Sequence, residues 1–375
     1  MSFLLKKIAH RWFGRGPVAL RSFDEICTTL GEARGAHQPE RFHGELAAAP
    51  ADSCDYRPAH SLLGQSPEPD MLDGRPHYRA DGLTISPRRR LLALSDAAIA
   101  GVDGVVYCPH RRIAVAETVQ VWLQPPEAHP LLAAPGFPRA QTLSGRTLSL
   151  GSIGAEGFYH FLIESLPRLE LVRPWLATID HVLAPGRPGG FQEKWLQLAG
   201  VPHGKILWLE GLTHYRCEQL LFTSPLSRDC EPTPWLVQAV RSVLAVPVAT
   251  APGAQRVWIS RGDAGARHLA WEGELLAALG GFTRVELAAL APAEHIKLLA
   301  GAAVVAGPHG AGFANLVFCA PGARSIELLP DARHRPVFGR LATAAGGRHA
   351  WAAVDFASPP RDLAALARAM NSFAA

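Results

Sequence analysis

The sequence predicts an α/β protein of two domains, on three observations. At 375 residues the chain exceeds the size at which one hydrophobic core usually stops growing. After residue 157 short apolar runs alternate with segments of helical period, the pattern of sheets covered by helices. A stretch rich in proline and small residues, 246–255, interrupts the alternation and reads as a linker. Hydrophobic residues form 48% of the chain and charged ones 19%, which supplies sizeable cores and excludes a disordered chain.

The first segment, 1–30, is basic and amphipathic at its start. Phe3, Leu4, Leu5, Ile8, Trp12 and Phe13 lie among Lys6, Lys7, Arg11 and Arg15, and no acid precedes Asp24. As a helix it carries an apolar stripe with a basic flank, suited to an anionic membrane surface; a tail packed on its own domain fits equally. No apolar run is long enough to span a bilayer and no leader with a cleavage site is recognisable. The expected location is the cytoplasm, peripheral on the inner face of the membrane in the first of these readings.

From 31 to about 90 the chain is rich in Pro, Gly, Ala, Arg and His without period, and reads as loop-dominated. From 91 to 150 short apolar runs such as Val105-Val106-Tyr107 are separated by Pro and Gly, as in short strands and turns. The periodicity then predicts a helix over 158–171, a strand over 181–184, a helix over 191–199, strands over 206–209 and 219–222, and a helix over 235–244. These elements predict a parallel sheet covered by helices.

Beyond the linker, strands over 256–260, 283–287, 303–307 and 324–329 alternate with helices over 271–279, 292–300 and, shorter, 312–318. This is the pattern of a doubly wound unit. An apolar helix over 363–370 closes the chain. The predicted division is a segment over 1–30, an N-terminal α/β domain over 31–245, the linker, a C-terminal Rossmann-like domain over 256–350, and 351–375 packing back on the first domain.

The net charge of +4 comes from Lys and Arg scattered among acids, and gives no basis for a nucleic-acid partner. The 6 cysteines are widely separated, without a Cys-x-x-Cys pair, and read as reduced buried thiols rather than a zinc site.

In open α/β sheets ligands sit beyond the carboxyl ends of the strands, so residues where strands stop are informative. Ile259-Ser260-Arg261 ends one strand, with Arg267 in a polar loop and Glu272 opening the next helix. Two guanidiniums there can grip a diphosphate, and arginines paired with Asp263 or Glu272 are the structural alternative. Gly307-Pro308-His309-Gly310-Ala311-Gly312 follows another strand, in a turn where backbone N–H groups approach a ligand at a helix N-terminus. Glu327, at the end of an apolar strand, suits ribose hydroxyls or a buried ion pair with Arg324 or Arg333. In the first domain, helical spacing puts His160, Glu164 and Arg168 on one stripe facing either solvent or a cleft, with solvent the default.

Taken in order, these clusters resemble glycosyltransferase family 61. The resemblance rests on Tyr159-His160-Phe161 through Glu164 to Leu166-Pro167-Arg168, then Ser260-Arg261 with Arg267 and Glu272. It continues through Gly307 to Gly312, Asn315, Phe318, Pro321-Gly322 and Ile326-Glu327. Phe161, Glu164 and Trp271 stand where the family more often has Trp, Asp and Asn.

The resemblance implies a GT-B arrangement, two Rossmann-like doubly wound domains facing a cleft, and an inverting transfer without a metal or other cofactor. The donor is a nucleotide-sugar, expected to be UDP-linked, and the acceptor a glycan or glycolipid, as in capsule or surface polysaccharide synthesis. Arg261, Arg267, Glu272, His309, Gly310, Ala311, Gly312 and Glu327 are the implied donor site. Glu164 is the implied base with His160 its competitor, and Tyr159 and Arg168 lie on the acceptor side. No Asp-x-Asp sequence is present to hold a divalent ion. A catalytically silent carbohydrate- or nucleotide-binding scaffold remains the alternative. An NAD-dependent oxidoreductase fits less well, because the glycines of 307–312 lack the dinucleotide-binding spacing.

Overall fold

The computed structural model describes residues 13–14, 19–32, 43–56, 59–72, 75–76, 83–121, 124–133, 137–228, 230–247 and 249–375. It is a mixed α/β structure with two main sheets. The chain divides into two compact units: Met1–Ala51 with Pro87–Leu226, and Asp52–Ser86 with Ser227–Ala375. The amphipathic helix expected at the N-terminus lies outside the described residues, apart from Phe13–Gly14, which pairs as a short strand with Phe137–Pro138.

The first unit contains β1 (Ala19–Arg21), α1 (Phe23–Glu32), β2 (Gly44–Ala49), β3 (Arg89–Ala100), β4 (Val105–Cys108), β5 (Ile113–Val115) and β6 (Gln141–Ser149). After a helical segment described below come β7 (His181–Pro185), α2 (Phe191–Leu198), β8 (Ile206–Leu209) and β9 (His214–Thr223). Their sheet runs β8-β7-β6-β9-β3-β4-β5-β1, and β2 pairs with the first half of β3. Strands β6 to β9 are parallel where they pair, as predicted, but β3 is antiparallel to β9, β4 and β2. The sheet is therefore mixed. The turn 101–104 joins β3 to β4 directly, and so short a connection permits only antiparallel neighbours. Strand β3 is buried on both faces: Leu92, Leu94 and Ile99 pack with Phe222 and Phe23, while Ala98 and Ala100 pack with Tyr107 and Leu131.

The second unit contains α3 (Pro234–Val243), β10 (Gln255–Ile259), α4 (Glu272–Leu279), β11 (Thr283–Val285), α5 (Pro292–Ala300) and β12 (Ala302–Pro308). A 3-10 helix (Ala311–Phe318) leads to β13 (Arg324–Leu329), α6 (Val337–Ala344), β14 (Arg348–Ala353) and α7 (Leu363–Ala374). All strand pairs of its main sheet are parallel, in the order β11-β10-β12-β13-β14, and the two-residue strand His60–Ser61 extends it beyond β14. In chain order the five long strands run 2-1-3-4-5, which reverses direction between β10 and β12. On one face Trp258, Val304, Ile326 and Leu328 meet Leu275 of α4 and Leu366 and Met370 of α7.

Three expected boundaries differ from this arrangement. Residues 52–86 do not join the first unit. Asp52 accepts the Trp235 amide at the start of α3 (3.0 Å), Leu62 N donates to the Trp351 carbonyl (2.9 Å), and the Gln65 side chain bonds both backbone groups of Ala353. Residues 246–255 do not separate the units either, because α3 before them already belongs to the second. Arg241 of α3 donates from Nε to the Val317 carbonyl (2.7 Å) and from Nη2 to that of Cys319 (2.6 Å), closing the end of the 3-10 helix. The terminal helix α7 belongs to the second unit and packs on α4 there, with Asp362 capping it through the Ala365 amide at 2.7 Å.

Met370, fully buried, tests that assignment. Met370→Ala should destabilise the second unit by about 2–5 kcal/mol, the usual cost of truncating a buried methionine. Urea unfolding followed by hydrogen exchange should show lost protection in β10 to β14. Loss confined to β3 and β9 would contradict the assignment.

Candidate functional site

The reversal between β10 and β12 brings two of the predicted clusters together. The ends of these strands approach so closely that a Cβ on Gly307 would collide with the Ile259 carbonyl oxygen, and one on Gly310 with the guanidinium of Arg261. Glycine at both positions is what lets Arg261 lie over the turn. Arg261 Nε donates to the Ala266 carbonyl at 3.1 Å, which holds the side chain across its own loop. Burial and the nearby charge of Arg267 push the pKa of Arg261 down, against the opposing influence of Asp263. Two guanidiniums thus share a loop whose second member, exposed Arg267, has φ of 63°. Gly310, Ala311 and Gly312 open the 3-10 helix, whose first internal bond runs from Phe313 N to Gly310 O at 3.0 Å. N–H groups ahead of that bond have no acceptor within the helix. The Arg261 guanidinium over helix-start amides, with Arg267 on the same loop, suits an anion.

Glu272 stands beside this loop, bound to the protein. Its Oε1 accepts from Trp258 Nε1 (2.7 Å), and its Oε2 accepts from Ser260 Oγ (2.8 Å) and Arg284 Nε (2.7 Å). Ser260 Oγ in turn accepts from Gly262 N at 3.1 Å. Glu272 therefore fixes the strand end from which Arg261 projects.

The turn is anchored from below. Asn315 Nδ2 donates to the Gly312 carbonyl (2.8 Å), and Asn315 Oδ1 lies 3.1 Å from Nδ1 of buried His295 on α5. His309 N donates to the Leu328 carbonyl at 2.8 Å, and its Nδ1 bonds Glu327 Oε1. Glu327 is 1% exposed, and its Oε2 lies 3.2 Å from His349 Nε2. Burial alone raises a carboxyl pKa, but attraction to His309 and the hydrogen bonds from both histidines outweigh it and hold Glu327 at about 2. A carboxylate facing Nδ1 requires the proton on that nitrogen and so orients Nε2 away from Glu327. For a buried ion pair the sequence offered Arg324 or Arg333 as partner of Glu327; the structure gives it two histidines.

In the first unit the helix over 158–172 is not regular. Phe158–His160 is α-helical, Phe161–Ser165 is a π turn and Arg168–Val172 resumes the α-helix. Such π turns recur at functional sites, and this one contains Glu164. Of the two environments open to the stripe, solvent does not hold: Glu164 is 3% exposed and Arg168 is buried, as is neighbouring Tyr159. Arg168 Nε donates to the Glu164 carbonyl (2.9 Å) and Nη1 to Thr223 Oγ1 (2.7 Å), which ties the helix to the end of β9. Arg168 also lines a small polar cavity with Asp103, Glu117, Ser149 and Thr223. Burial pushes the His160 pKa down to about 4, so its imidazole is neutral at neutral pH.

Sequence reasoning missed His295, Arg284 and His349. His295 lies on a helix of predictable period, so a histidine among its apolar positions was the available signal. Arg284 and His349 gain their meaning only from strand neighbours; in the β13–β14 register His349 stands opposite Ser325.

The depressed pKa of Glu327 makes a pH-dependent contribution to stability. It is fully present above the ordinary value of 4.5 and is lost as pH falls toward about 2. Glu327→Gln should therefore cost about 2–3 kcal/mol at neutral pH, as expected for hydrogen bonds to a buried charge. In urea melts that gap should narrow in acid; a gap independent of pH would argue against an ionised Glu327.

The family model described as Glycosyltransferase 61 matches residues 158–326, from the π-containing helix to the strand that bears Glu327. No curated protein matched the chain. The matched span includes His160, Glu164, the Arg261 loop and the Gly307–Gly312 turn, in the order in which the fold presents them. Over residues 158–326 this chain is similar to glycosyltransferase family 61.

Proposed function

We propose that the protein is an inverting, metal-independent glycosyltransferase of GT-B type that transfers a sugar from a nucleotide-sugar, UDP-linked in the first instance, to a hydroxyl of a glycan or glycolipid. The observation that carries this reading is the Arg261–Arg267 loop against the Gly310–Gly312 turn, at the reversal between β10 and β12. A nucleoside diphosphate leaving group develops negative charge as the glycosidic bond breaks, and preorganised cations and amides stabilise that charge. In this reading Arg261, Arg267 and the amides of Gly310, Ala311 and Gly312 serve the diphosphate. Glu272 and Glu327 support it through Ser260 and His309.

The first unit supplies the base and the acceptor-side contacts. The acceptor oxygen attacks the anomeric carbon as its proton passes to Glu164, the bond to the diphosphate breaks, and the configuration inverts. His160, neutral by burial, positions the acceptor, Tyr159 packs beside it, and Arg168 holds the helix.

Arg261→Ala should weaken UDP binding by about ten-fold or more, since hydrogen bonds to charged groups are worth about 1.5–3 kcal/mol each. Calorimetry at wild-type affinity would remove Arg261 from the site. Transfer should persist in EDTA, and activity that returns only with added Mg²⁺ or Mn²⁺ would overturn the metal-independent reading.

The choice of base is tested by substitution. Glu164→Gln should lower kcat by about 10²- to 10⁴-fold, the usual worth of a general base, with UDP affinity within a few-fold of wild type. A near-normal kcat in that variant would transfer the role to His160.

A further inference from the structure

We propose that His349 is a positioning residue for the donor site, acting on His309 through the buried carboxylate of Glu327. The inference rests on the donor-site reading above and extends it beyond the family-matched span, which ends before β14.

The geometry forms a line of contacts. His309 Nδ1 meets Glu327 Oε1, and Glu327 Oε2 lies 3.2 Å from His349 Nε2. His349 Nδ1 lies 2.8 Å from Ser325 Oγ, which also donates to the Arg348 carbonyl at 3.3 Å. A carboxylate held at one oxygen can rotate about its terminal bond; held at both, it keeps a single orientation. His349 is thus the second hold that keeps Oε1 aimed at His309. His309 itself is confined by Phe338, with ring centroids 5.4 Å apart. Behind His349 the wall comes from the segment that joins this unit from far earlier in the chain. A Cβ on Gly339 would meet Tyr56 OH at 2.7 Å and His349 Cδ2 at 3.1 Å, so only glycine leaves Tyr56 and His349 this close together. Glu327 and His349 are both buried and removed from solvent exchange. Orientation of the one partly accessible member, His309, is what they can deliver to a ligand.

The test uses the full chain with UDP as probe. His349→Ala should weaken UDP binding by about five-fold or more, within the range expected of coupled neighbours. His349→Gln, which can return an N–H to the carboxylate, should restore most of it. In a His309→Ala background the His349→Ala change should have no further effect on UDP binding. Additive losses would overturn the proposal, as would undiminished UDP binding in His349→Ala. Should His349→Ala fail to fold, Ser325→Ala, which removes the neighbour of His349 Nδ1, should give a smaller loss that also vanishes without His309. If it does not vanish, His349 is only structural. Arg261→Ala separates the two readings: normal UDP binding in that variant sinks the donor site itself, whereas a loss there with none in His349→Ala sinks this proposal alone.

Discussion

The second unit depends on one close approach, that of the ends of β10 and β12. Parallel strands on either side of a reversal send their connections to opposite faces of the sheet and leave a crevice between them. Here the crevice floor is backbone, because Gly307 leaves no side chain against the Ile259 carbonyl and Gly310 none beneath Arg261. A methyl group at either position would displace a strand or a guanidinium. The same absence of side chains lets the first amides of the 3-10 helix and the cationic loop converge on one place. Chain geometry and charge are therefore a single constraint.

Around that approach two carboxylates do opposite work. Glu272 is ringed by an indole, a hydroxyl and a guanidinium, and sets the path of the loop that carries Arg261. Glu327 is buried between imidazoles and sets a ring rather than a loop. Burying a carboxylate is costly unless donors answer it, and removing one donor leaves a charge with poor solvation. Each acid is thus a geometric specification, since its favourable state exists only with its partners in place. Neither needs to touch a ligand to influence how one is held.

The sequence revealed the site where its signals were local. Apolar runs ending in Ser260-Arg261 and Gly307-Pro308-His309-Gly310 became strands β10 and β12 with turns beyond them, because short buried strands and glycine turns are written in adjacent residues. The helix from Phe158 was legible, but its π turn was not: one inserted residue per turn leaves no mark on composition, and spacing by fours left open whether the stripe of Glu164, which is buried, met solvent or a cleft. Residues 52–86 were illegible for another reason. His60–Ser61 and Glu68–Pro69 have no strand character of their own and become strands by pairing with β14 and with Arg333–His334. An apolar stripe on α7 likewise reported that the helix packs, without reporting that α4 is its partner.

The two faces of the second sheet divide stability from orientation. Strand alternation sends Ile326 and Leu328 toward α4 and α7, into a core of tryptophan, leucine and methionine. Ser325 and Glu327 project to the other face, where His349 meets them. Apolar packing tolerates substitution of similar volume. A carboxylate between two imidazoles tolerates little, because its energy depends on direction as well as burial. The β13 strand therefore carries both requirements at alternate residues, and a slip of one position would exchange them, putting Glu327 into the apolar core and Leu328 beside His309. The register that secures the fold is the register that aims the histidine.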